Sequence, residues 1–277
     1  MIAAESFSLG RMARAAGVRL CAFEELDSTN DEAKRLFADG GEAGPLWIVA
    51  RRQSLGRGRL GRGWISPLGN LHASLVLSGA FPATRAPQLG FVAGVAVLTA
   101  LRCVTPGGSK LALKWPNDLL LERAKLGGIL LEGLALAPGG EGARSCVVVG
   151  IGVNCVDAPE GLPYPACALA SLGPAAPSAA QVFTALSDAF VETLAQWRGG
   201  EGFADIRAQW LAMAAGLGET ISVRLARGET REGRFETIDA DGRLLIAAKE
   251  GIFAMDAGDV LLAHEPPNKA RSLDQNL

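Results

Sequence analysis

The 277-residue chain lacks the marks of several protein classes. Its five cysteines are an odd set without a C-x-x-C pair, which disfavours a disulfide framework or a zinc knuckle. Its two histidines, His72 and His264, have no second histidine or cysteine at ligand spacing. The longest charge-free apolar stretch within one predicted element, Leu89–Leu101, is too short to span a bilayer. The first residues hold no continuous apolar segment, so we expect no secretion signal and a reduced, cytoplasmic protein.

Acidic side chains are absent from residues 43–117, although the whole chain has a net charge of −2. This segment carries nine arginines and lysines, so its charge is +9 and that of the remaining chain is −11. A basic stretch of this length without acids favours a surface that meets an anion. The candidates are nucleic acid, a nucleotide polyphosphate and an acidic partner.

Hydrophobic periodicity predicts one large and one small domain. A helix follows Ser28, with Thr29 or Asn30 as its expected N-cap. Four closely spaced apolar runs between residues 111 and 154 fit one mostly antiparallel sheet. After Thr220, short period-2 runs alternate with Asp-Gly and Glu-Gly turns, which indicates a small β-barrel. Further expectations are strands at 20–25, 46–53 and 70–77, helices at 87–104, 178–198 and 201–215, a hairpin turn at 138–144 and a long loop at 156–180.

A loop rich in glycine and arginine follows the strand at 46–53. Residues 56–61 match the G-x-G-x-x-G pattern of dinucleotide-binding proteins, but Gly63 and Pro67 follow where a helix would begin. No acidic residue lies about twenty residues on, and the Gly-Lys-Ser/Thr ending of a P-loop is missing. We interpret the segment as a flexible loop whose arginines bind phosphate oxygens and which closes over a nucleotide. A solvated basic turn or an RGG-like nucleic-acid contact is the alternative.

Three more short motifs lie at predicted strand ends. Lys114 and Asp118 flank a proline that ends a strand, so both can enter a cleft and serve a nucleotide with Mg²⁺. A surface turn with a salt bridge is the alternative. Lys125 opens an apolar run beside two glycines and can neutralise charge on reacting oxygens, or it is a strand-edge lysine. Residues 150–154, GIGVN, end a strand with glycines and an amide, or simply close it in a turn.

The order and spacing of these motifs closely resemble those of biotin–protein ligases. Each motif alone is weak, whereas the ordered set is highly specific and covers residues 20–265. The matching motifs are STN (28–30), Q-x-x-GRGRxGRxW (53–64), SPxGNL (66–71), KWPND (114–118), KLGGIL (125–130) and GIGVN (150–154).

This resemblance implies an α+β fold. A catalytic domain of the kind shared by class II aminoacyl-tRNA synthetases and biotin–lipoate ligases, with a mixed antiparallel sheet, would be followed by an SH3-like β-barrel. The expected domains are residues 1–216 and 217–265, with a flexible tail at 266–277. The chain resembles the short enzyme without an N-terminal DNA-binding domain.

The resemblance also implies a two-step reaction. Biotin and MgATP would form biotinyl-5′-AMP and pyrophosphate, and a lysine of a biotin carboxyl carrier domain would then take the biotinyl group. ATP, Mg²⁺ and biotin are the expected small molecules, with no tightly bound cofactor. The carrier domain is the expected partner, without nucleic acid or membrane. The oligomeric state stays open, since relatives can form homodimers through the central sheet.

The matched motifs carry the implied site residues. Polar side chains would pair with the ureido ring of biotin, and such pairing is selective because a buried polar ring needs every group satisfied. Lys125 and Arg59 are the implied catalytic residues, and Trp64 would be an apolar wall. The implied biotin-binding residues are Ser28, Thr29, Asn30, Gln53, Arg57, Gly58, Arg59, Trp64, Lys125 and Gly128. The implied nucleotide-binding residues are Arg57, Arg59, Arg62, Lys114, Asn117, Asp118 and Asn154, with Asp118 also the expected Mg²⁺ ligand.

Two departures and three rival interpretations accompany the resemblance. Leu60 stands where many relatives have arginine, and His72 where an aromatic residue is common.

A lipoate–protein ligase shares the fold and the chemistry, but the arginine-rich loop and the KWPND motif argue against it. A nucleic-acid-binding protein would use the basic segment, but aromatic residues are only 6% and do not alternate with bases. A catalytically silent domain is disfavoured because Lys125 and the loop are present.

Overall fold

The computed structural model describes residues 6–38, 44–79, 81–105, 110–134, 145–225 and 228–262. Within these ranges, none of the helices combines the length and the apolarity needed to cross a membrane. The helices are α1 (Arg11–Ala15), α2 (Thr29–Ala38), α3 (Gln88–Val104), α4 (Ala179–Trp197) and α5 (Phe203–Leu211). The strands are β1 (Arg19–Leu26), β2 (Leu46–Gln53), β3 (Leu71–Gly79), β4 (Leu111–Lys114), β5 (Asp118–Leu121), β6 (Ala124–Leu134), β7 (Ser145–Val153), β8 (Thr220–Arg224), β9 (Thr230–Ile238), β10 (Leu244–Ala248), β11 (Gly251–Met255) and β12 (Asp259–Leu262).

Strands β1 to β7 form a seven-stranded mixed sheet in the order β1-β2-β3-β7-β6-β5-β4. The β1–β2 pair is parallel and α2 makes the crossover that a parallel pair requires. The other neighbouring strands are antiparallel. The predicted run of four closely spaced strands is therefore confirmed as β4 to β7.

Alternating side chains give this sheet two different faces. On β2, Trp47 belongs to the large core and packs edge-to-face against Phe183 and Phe190 of α4, with ring centroids 5.5 and 5.6 Å away. The next residue, Ile48, points to the opposite face and joins a smaller cluster with Ala33 of α2. Helix α2 covers part of that second face, and the uncovered part carries the cavity described below.

The last five strands form an antiparallel sheet in the order β11-β10-β9-β8-β12. This agrees with the expected SH3-like domain; within residues 228–262 the edge strands β11 and β12 do not pair, so the barrel is not closed. Polar contacts join the two sheets: Trp115 Nε1 donates to the Gly242 carbonyl at 3.2 Å, and Arg123 pairs with Glu219 at 2.7 Å. The domain division at residues 216 and 217 stays a prediction.

Two predicted helix ends differ from the structure. Helix α2 begins at Thr29, so the N-cap is Ser28, whose Oγ accepts from the Asp31 N–H at 3.4 Å. Helix α5 ends at Leu211 rather than 215, because the following residues pair with the edge strand β4: the Leu113 N–H donates to the Met213 carbonyl at 2.8 Å. The predicted hairpin turn at 138–144 and the tail at 266–277 lie outside the described residues.

Candidate active site

A cavity of about 410 Å³ opens on the sheet face that α2 leaves uncovered. Its floor includes Gly150 and Gly152 of β7. A Cβ atom on Gly150 would lie 2.4 Å from Asn30 Oδ1, and one on Gly152 would lie 2.7 Å from the Trp64 ring, so both close approaches require glycine. All the implied site residues except Asn154 line this cavity: Ser28, Thr29, Asn30, Gln53, Arg57, Gly58, Arg59, Arg62, Trp64, Lys114, Asn117, Asp118, Lys125 and Gly128.

One end of the cavity, here called the neutral end, is lined by uncharged polar side chains at the start of α2 and the end of β2, and serines outside the lining support them. The Thr29 backbone N–H and hydroxyl both donate to Gln53 Oε1, at 2.8 and 3.0 Å. Gln53 Nε2 donates to Ser66 Oγ at 2.9 Å. Ser74 Oγ lies 2.7 Å from Thr29 Oγ1 and 2.5 Å from Asn30 Oδ1. Because these groups are bonded to one another and largely buried, their directions are set before a ligand arrives.

An ion-pair cluster stands behind the neutral end. Both terminal nitrogens of Arg57 bind the Asp31 carboxylate, and this contact holds the pKa of Asp31 below its ordinary value. Glu132 accepts hydrogen bonds from Lys34 Nζ at 2.6 Å and from Asn30 Nδ2 at 2.7 Å. Burial alone would raise the pKa of Glu132, but these two hydrogen bonds lower it overall, so the side chain is ionised at neutral pH. Arg57 is thereby tethered to α2.

The opposite end of the cavity, here called the charged end, is built around Asp118. Strand β4 ends at Lys114 and β5 begins at Asp118, so the intervening turn sets the two residues opposite each other. Asp118 Oδ1 lies 2.7 Å from Lys125 Nζ, and Oδ2 lies 3.6 Å from Lys114 Nζ. The rings of Trp64 and Tyr164 flank Lys125, with centroids 6.0 and 5.4 Å from Nζ. This end presents two ammonium groups that a bound anion can share with Asp118.

The arginine-rich loop covers the charged end. It contains a short 3-10 turn, Arg59–Gly61. No helix begins between this turn and β3, which agrees with the expectation that residues 56–61 are not a dinucleotide-binding motif. Arg59 Nη1 donates to Asn117 Oδ1 at 3.0 Å. Arg62 forms an ion pair with Asp259 of β12, so the second sheet reaches the loop. Burial alone would raise the pKa of Asp259, but the hydrogen bond from Arg62 lowers it overall.

Asn154, the remaining nucleotide-binding residue implied by the motifs, is not brought into this cavity. Its side chain is buried, and its Nδ2 donates to the Cys167 carbonyl at 3.1 Å. It lines a neighbouring cavity of about 60 Å³, which shares Trp64, Lys125 and Tyr164 as walls with the larger one. Asn154 Oδ1 has no hydrogen-bond partner among the described residues, so the small cavity holds one unsatisfied buried acceptor.

Comparison with known proteins assigns this arrangement to a family. The model of the Biotin/lipoate A/B protein ligase family matches residues 22–154, and that of the Biotin protein ligase C terminal domain matches residues 216–262. A biotin–[acetyl-CoA-carboxylase] ligase of Paracoccus denitrificans is 40% identical over 240 residues, which cover 84% of this chain and 96% of that protein. The chain belongs to the biotin protein ligase family. The expected enzyme class, a ligase, is confirmed by this membership.

Further relatives of the biotin protein ligase family agree in sequence and in fold. A biotin–[acetyl-CoA-carboxylase] ligase of Mycobacterium tuberculosis is 32% identical over 242 residues, covering 84% of this chain and 85% of that protein. The structure titled biotin protein ligase from Aquifex aeolicus in complex with biotin and ATP has a TM-score of 0.72 at 27% identity, over 88% of this chain and 97% of that one. The expected fold class is thereby confirmed.

Two departures from the biotin protein ligase motifs have defined places in the structure. His72 is buried beside Gly152 on the cavity floor, and its Nε2 lies 3.2 Å from the Pro67 carbonyl. Since a carbonyl only accepts, Nε2 carries the proton, and Nδ1 is an acceptor with no hydrogen-bond partner in the described part of the chain. Burial lowers the pKa of His72 to about 4, so the ring is neutral at neutral pH. Leu60 is three-quarters exposed, has a φ of 57° and does not line the cavity.

Several residues that line or support the cavity of this biotin protein ligase family member are not among those that the sequence motifs predict. Tyr164, the single tyrosine, lies in the predicted long loop, and Asp259 comes from the second sheet. No local pattern marks either residue, because their approach depends on tertiary packing. Glu132 had a usable signal: it follows Gly128 and Leu130 at period 2, so it shares their face of β6.

The donor set does not fit a protein-built magnesium centre. In the described part of the chain, no group of three or more His, Cys, Asp and Glu side chains is placed to hold a metal ion. The Asp118 carboxylate is bound to Lys125 at 2.7 Å, and a single carboxylate can contribute to a Mg²⁺ ion that is held mainly by the phosphates of a nucleotide and by water. The assignment of Asp118 as a Mg²⁺ ligand therefore stays a prediction.

Proposed function

We propose that this chain is an ATP-dependent biotin–protein ligase. It would form biotinyl-5′-AMP and then transfer the biotinyl group to a lysine of a biotin carboxyl carrier domain of a biotin-dependent carboxylase. Two relatives carry the name biotin–[acetyl-CoA-carboxylase] ligase, and a similar structure is described with biotin and ATP. Residues 1–216 would form the catalytic domain and residues 217–265 the second domain.

The observation that carries the proposal is the division of one 410 Å³ cavity into a neutral end and a charged end. That volume is within the range of small-molecule sites. Biotin has the matching polarity: a ureido ring with N–H donors and a carbonyl acceptor, an apolar body, and a carboxylate at the end of its chain. Trp64, which lies over Gly152 beside Lys125, provides the apolar wall between the two ends.

In the first step, a biotin carboxylate oxygen attacks the α-phosphorus of ATP, the bond from that phosphorus to the bridging oxygen breaks, and pyrophosphate leaves. No protein nucleophile is needed, so the chain contributes orientation and charge neutralisation. Lys125 would bind the carboxylate and the oxygens of the new mixed anhydride. Asp118 would hold Lys125 in place through the 2.7 Å contact, and Arg59 would reach phosphate oxygens after leaving Asn117.

In the second step, the ε-amine of the carrier lysine attacks the acyl carbon of biotinyl-5′-AMP. A C–N bond forms, the amine loses a proton, and AMP leaves with the electrons of the C–O bond. Closure of the arginine-rich loop would keep water from this carbon until the carrier arrives. The ion pair of Arg62 with Asp259 supports a closed position of the loop against the second sheet.

The nucleotide would extend from the charged end toward the smaller cavity. Lys114 and Arg62 line the larger cavity and would bind phosphate oxygens. The unpaired Oδ1 of Asn154 is a buried acceptor suited to an amino group of a base. Mg²⁺ would enter on the phosphates of ATP and supply charge neutralisation there.

The first experiment is ATP–pyrophosphate exchange with Mg²⁺, comparing biotin with lipoate in the absence of any carrier. We expect exchange that depends on biotin alone. Exchange with lipoate would keep the fold and contradict the assignment of the neutral end. Absence of exchange with both acids, from folded protein, would overturn the proposal.

The second half-reaction has its own test. A purified carrier domain should gain the mass of one biotinyl group when mixed with the chain, biotin and MgATP. The same carrier with its acceptor lysine changed to arginine is the matched control. Biotin-dependent exchange without any mass gain on a biotin carboxyl carrier domain would contradict the acceptor assignment.

A further inference from the structure

Glu132 lies outside the cavity lining but contacts the neutral end from behind. It stands on β6, and its Oε2 is 2.7 Å from Asn30 Nδ2 while its Oε1 is 2.6 Å from Lys34 Nζ. The side chain is three-quarters buried, and Arg57 approaches the same carboxylate at 3.6 Å. This largely buried carboxylate points at the amide of Asn30, which lines the cavity, and none of the proposed reaction steps uses it.

The carboxylate fixes which way the Asn30 amide points. An ionised carboxylate only accepts hydrogen bonds, so the atom of Asn30 that faces Glu132 is Nδ2. Oδ1 then faces Ser74 Oγ at 2.5 Å and packs over Gly150, on the cavity side of the sheet. Asn30 is 4% exposed and has no room to turn freely. The neutral end therefore presents an acceptor at this point and not a donor.

We infer that Glu132 is a positioning residue for the recognition of a cyclic urea, acting through Asn30. This inference rests on the proposed function. A urea ring carries N–H donors, and an amide oxygen at Asn30 pairs with them, whereas the reversed amide would set N–H against N–H. Glu132 therefore selects for ligands with a donor at this position without touching them.

Replacement of the carboxylate by an amide tests the inference. In Glu132→Gln, a neutral amide can turn either way, and its own NH₂ then opposes Lys34 or Asn30, so the orientation of Asn30 is no longer imposed. We expect the KM for biotin in pyrophosphate exchange to rise about tenfold, as for one weakened buried hydrogen bond. The kcat and the KM for ATP should stay within about twofold, because the charged end is untouched.

A double-mutant cycle separates positioning from a general structural effect. In an Asn30→Ala background, Glu132→Gln should cause no further rise in the KM for biotin, because the group through which it acts is gone. Lys34→Met is the matched control: it removes the other partner of Glu132 and should leave the KM for biotin within about twofold. If Glu132→Gln does not fold, Glu132→Asp keeps the charge, falls short of Asn30 and should raise the same KM.

Three results would overturn the inference. The first is an unchanged KM for biotin in both Glu132 variants. The second is a full additional effect of Glu132→Gln on top of Asn30→Ala. The third is an equal rise of both KM values together with a lower Tm, which would make Glu132 merely structural. Each experiment includes the unaltered chain as a reference. If the unaltered chain lacks biotin-dependent exchange, the proposed function itself is contradicted. If it exchanges normally, only the role of Glu132 is rejected.

Discussion

The two ends of the cavity are built in opposite ways. At the neutral end, Thr29 and Asn30 are almost fully buried; the Thr29 hydroxyl and Asn30 Oδ1 are bonded to uncharged side chains, and the Glu132 carboxylate binds Asn30 Nδ2 from behind. At the charged end, Lys125 and Asp118 are each nearly a fifth exposed and are bound to each other. A ligand entering the neutral end meets groups that are already oriented, whereas an anion entering the charged end must share or displace an ion-pair partner. The pre-oriented groups of the neutral end favour selectivity between ligands. The ion pairs of the charged end favour weaker binding of anions, so that the charged groups of the substrate can move as the reaction proceeds.

Removal of the central cation of the charged end should have the largest effect. Lys125→Ala deletes the group expected to neutralise the carboxylate and the mixed anhydride, so kcat/KM for biotin in pyrophosphate exchange should fall roughly a hundredfold to a thousandfold. Lys110→Ala is the control, because Lys110 is exposed and pairs with Glu122 at the surface. If the two variants lost activity to a similar extent, the distinction between the two ends would be unfounded.

Lowering the pH should lower the free energy of unfolding, because strand β3 carries the buried His72 on the cavity floor, two residues before Ser74. Unfolded histidine takes up a proton near pH 6.5, whereas the buried ring does so only near pH 4. Between these values the unfolded state binds more protons, so the free energy of unfolding should fall as the pH decreases, by about 3 kcal/mol in total.

Urea denaturation at pH 7 and at pH 4.5 measures this loss. His72→Phe should remove most of the pH dependence between these values, since Asp27 and Asp31, whose carboxylates are stabilised by arginines, have ordinary pKa values of 3.8, below this window. An unchanged slope in the variant would mean that His72 is not the group responsible.

The neutral end should respond in affinity more than in rate. Gln53→Leu leaves the Thr29 N–H and Ser66 Oγ without their partner, so the KM for biotin should rise roughly tenfold to thirtyfold while kcat changes less than about threefold. Gln209→Leu is the control, because Gln209 lies on the surface and bonds to Gln196. A large fall in kcat with an unchanged KM would show that the two ends do not divide their tasks in this way.

Most strands were predictable because apolar alternation is a local signal. Strands β2 and β3 and the four runs from β4 to β7 appear where the pattern placed them. The N-cap of α2 was misassigned by one residue, since Ser28, Thr29 and Asn30 are all suitable cap residues and only the observed backbone shows which one caps. The sequence did not predict whether the barrel closes, because strand patterns do not report whether edge strands meet.

The site, like the fold, was predictable from the sequence only in part. The motifs named fourteen residues that line one cavity, because each motif lies at or beside the end of a strand of the seven-stranded sheet. They did not show that Arg57 is paired with Asp31, that Asn154 lines a second, smaller cavity, or that Asp259 pairs with Arg62 of the loop. These facts depend on contacts between residues far apart in the chain.

The sequence by itself determined the alternation of the strands, the glycines that permit close approach, and the kinds of groups at the site, because these follow from residue type and local spacing. Only the tertiary structure decided which groups meet: Glu132 on Asn30, Asp118 between two lysines, and the second sheet against the arginine-rich loop. A side chain's partner depends on the distance at which the packed core holds two elements, and no local pattern encodes that distance.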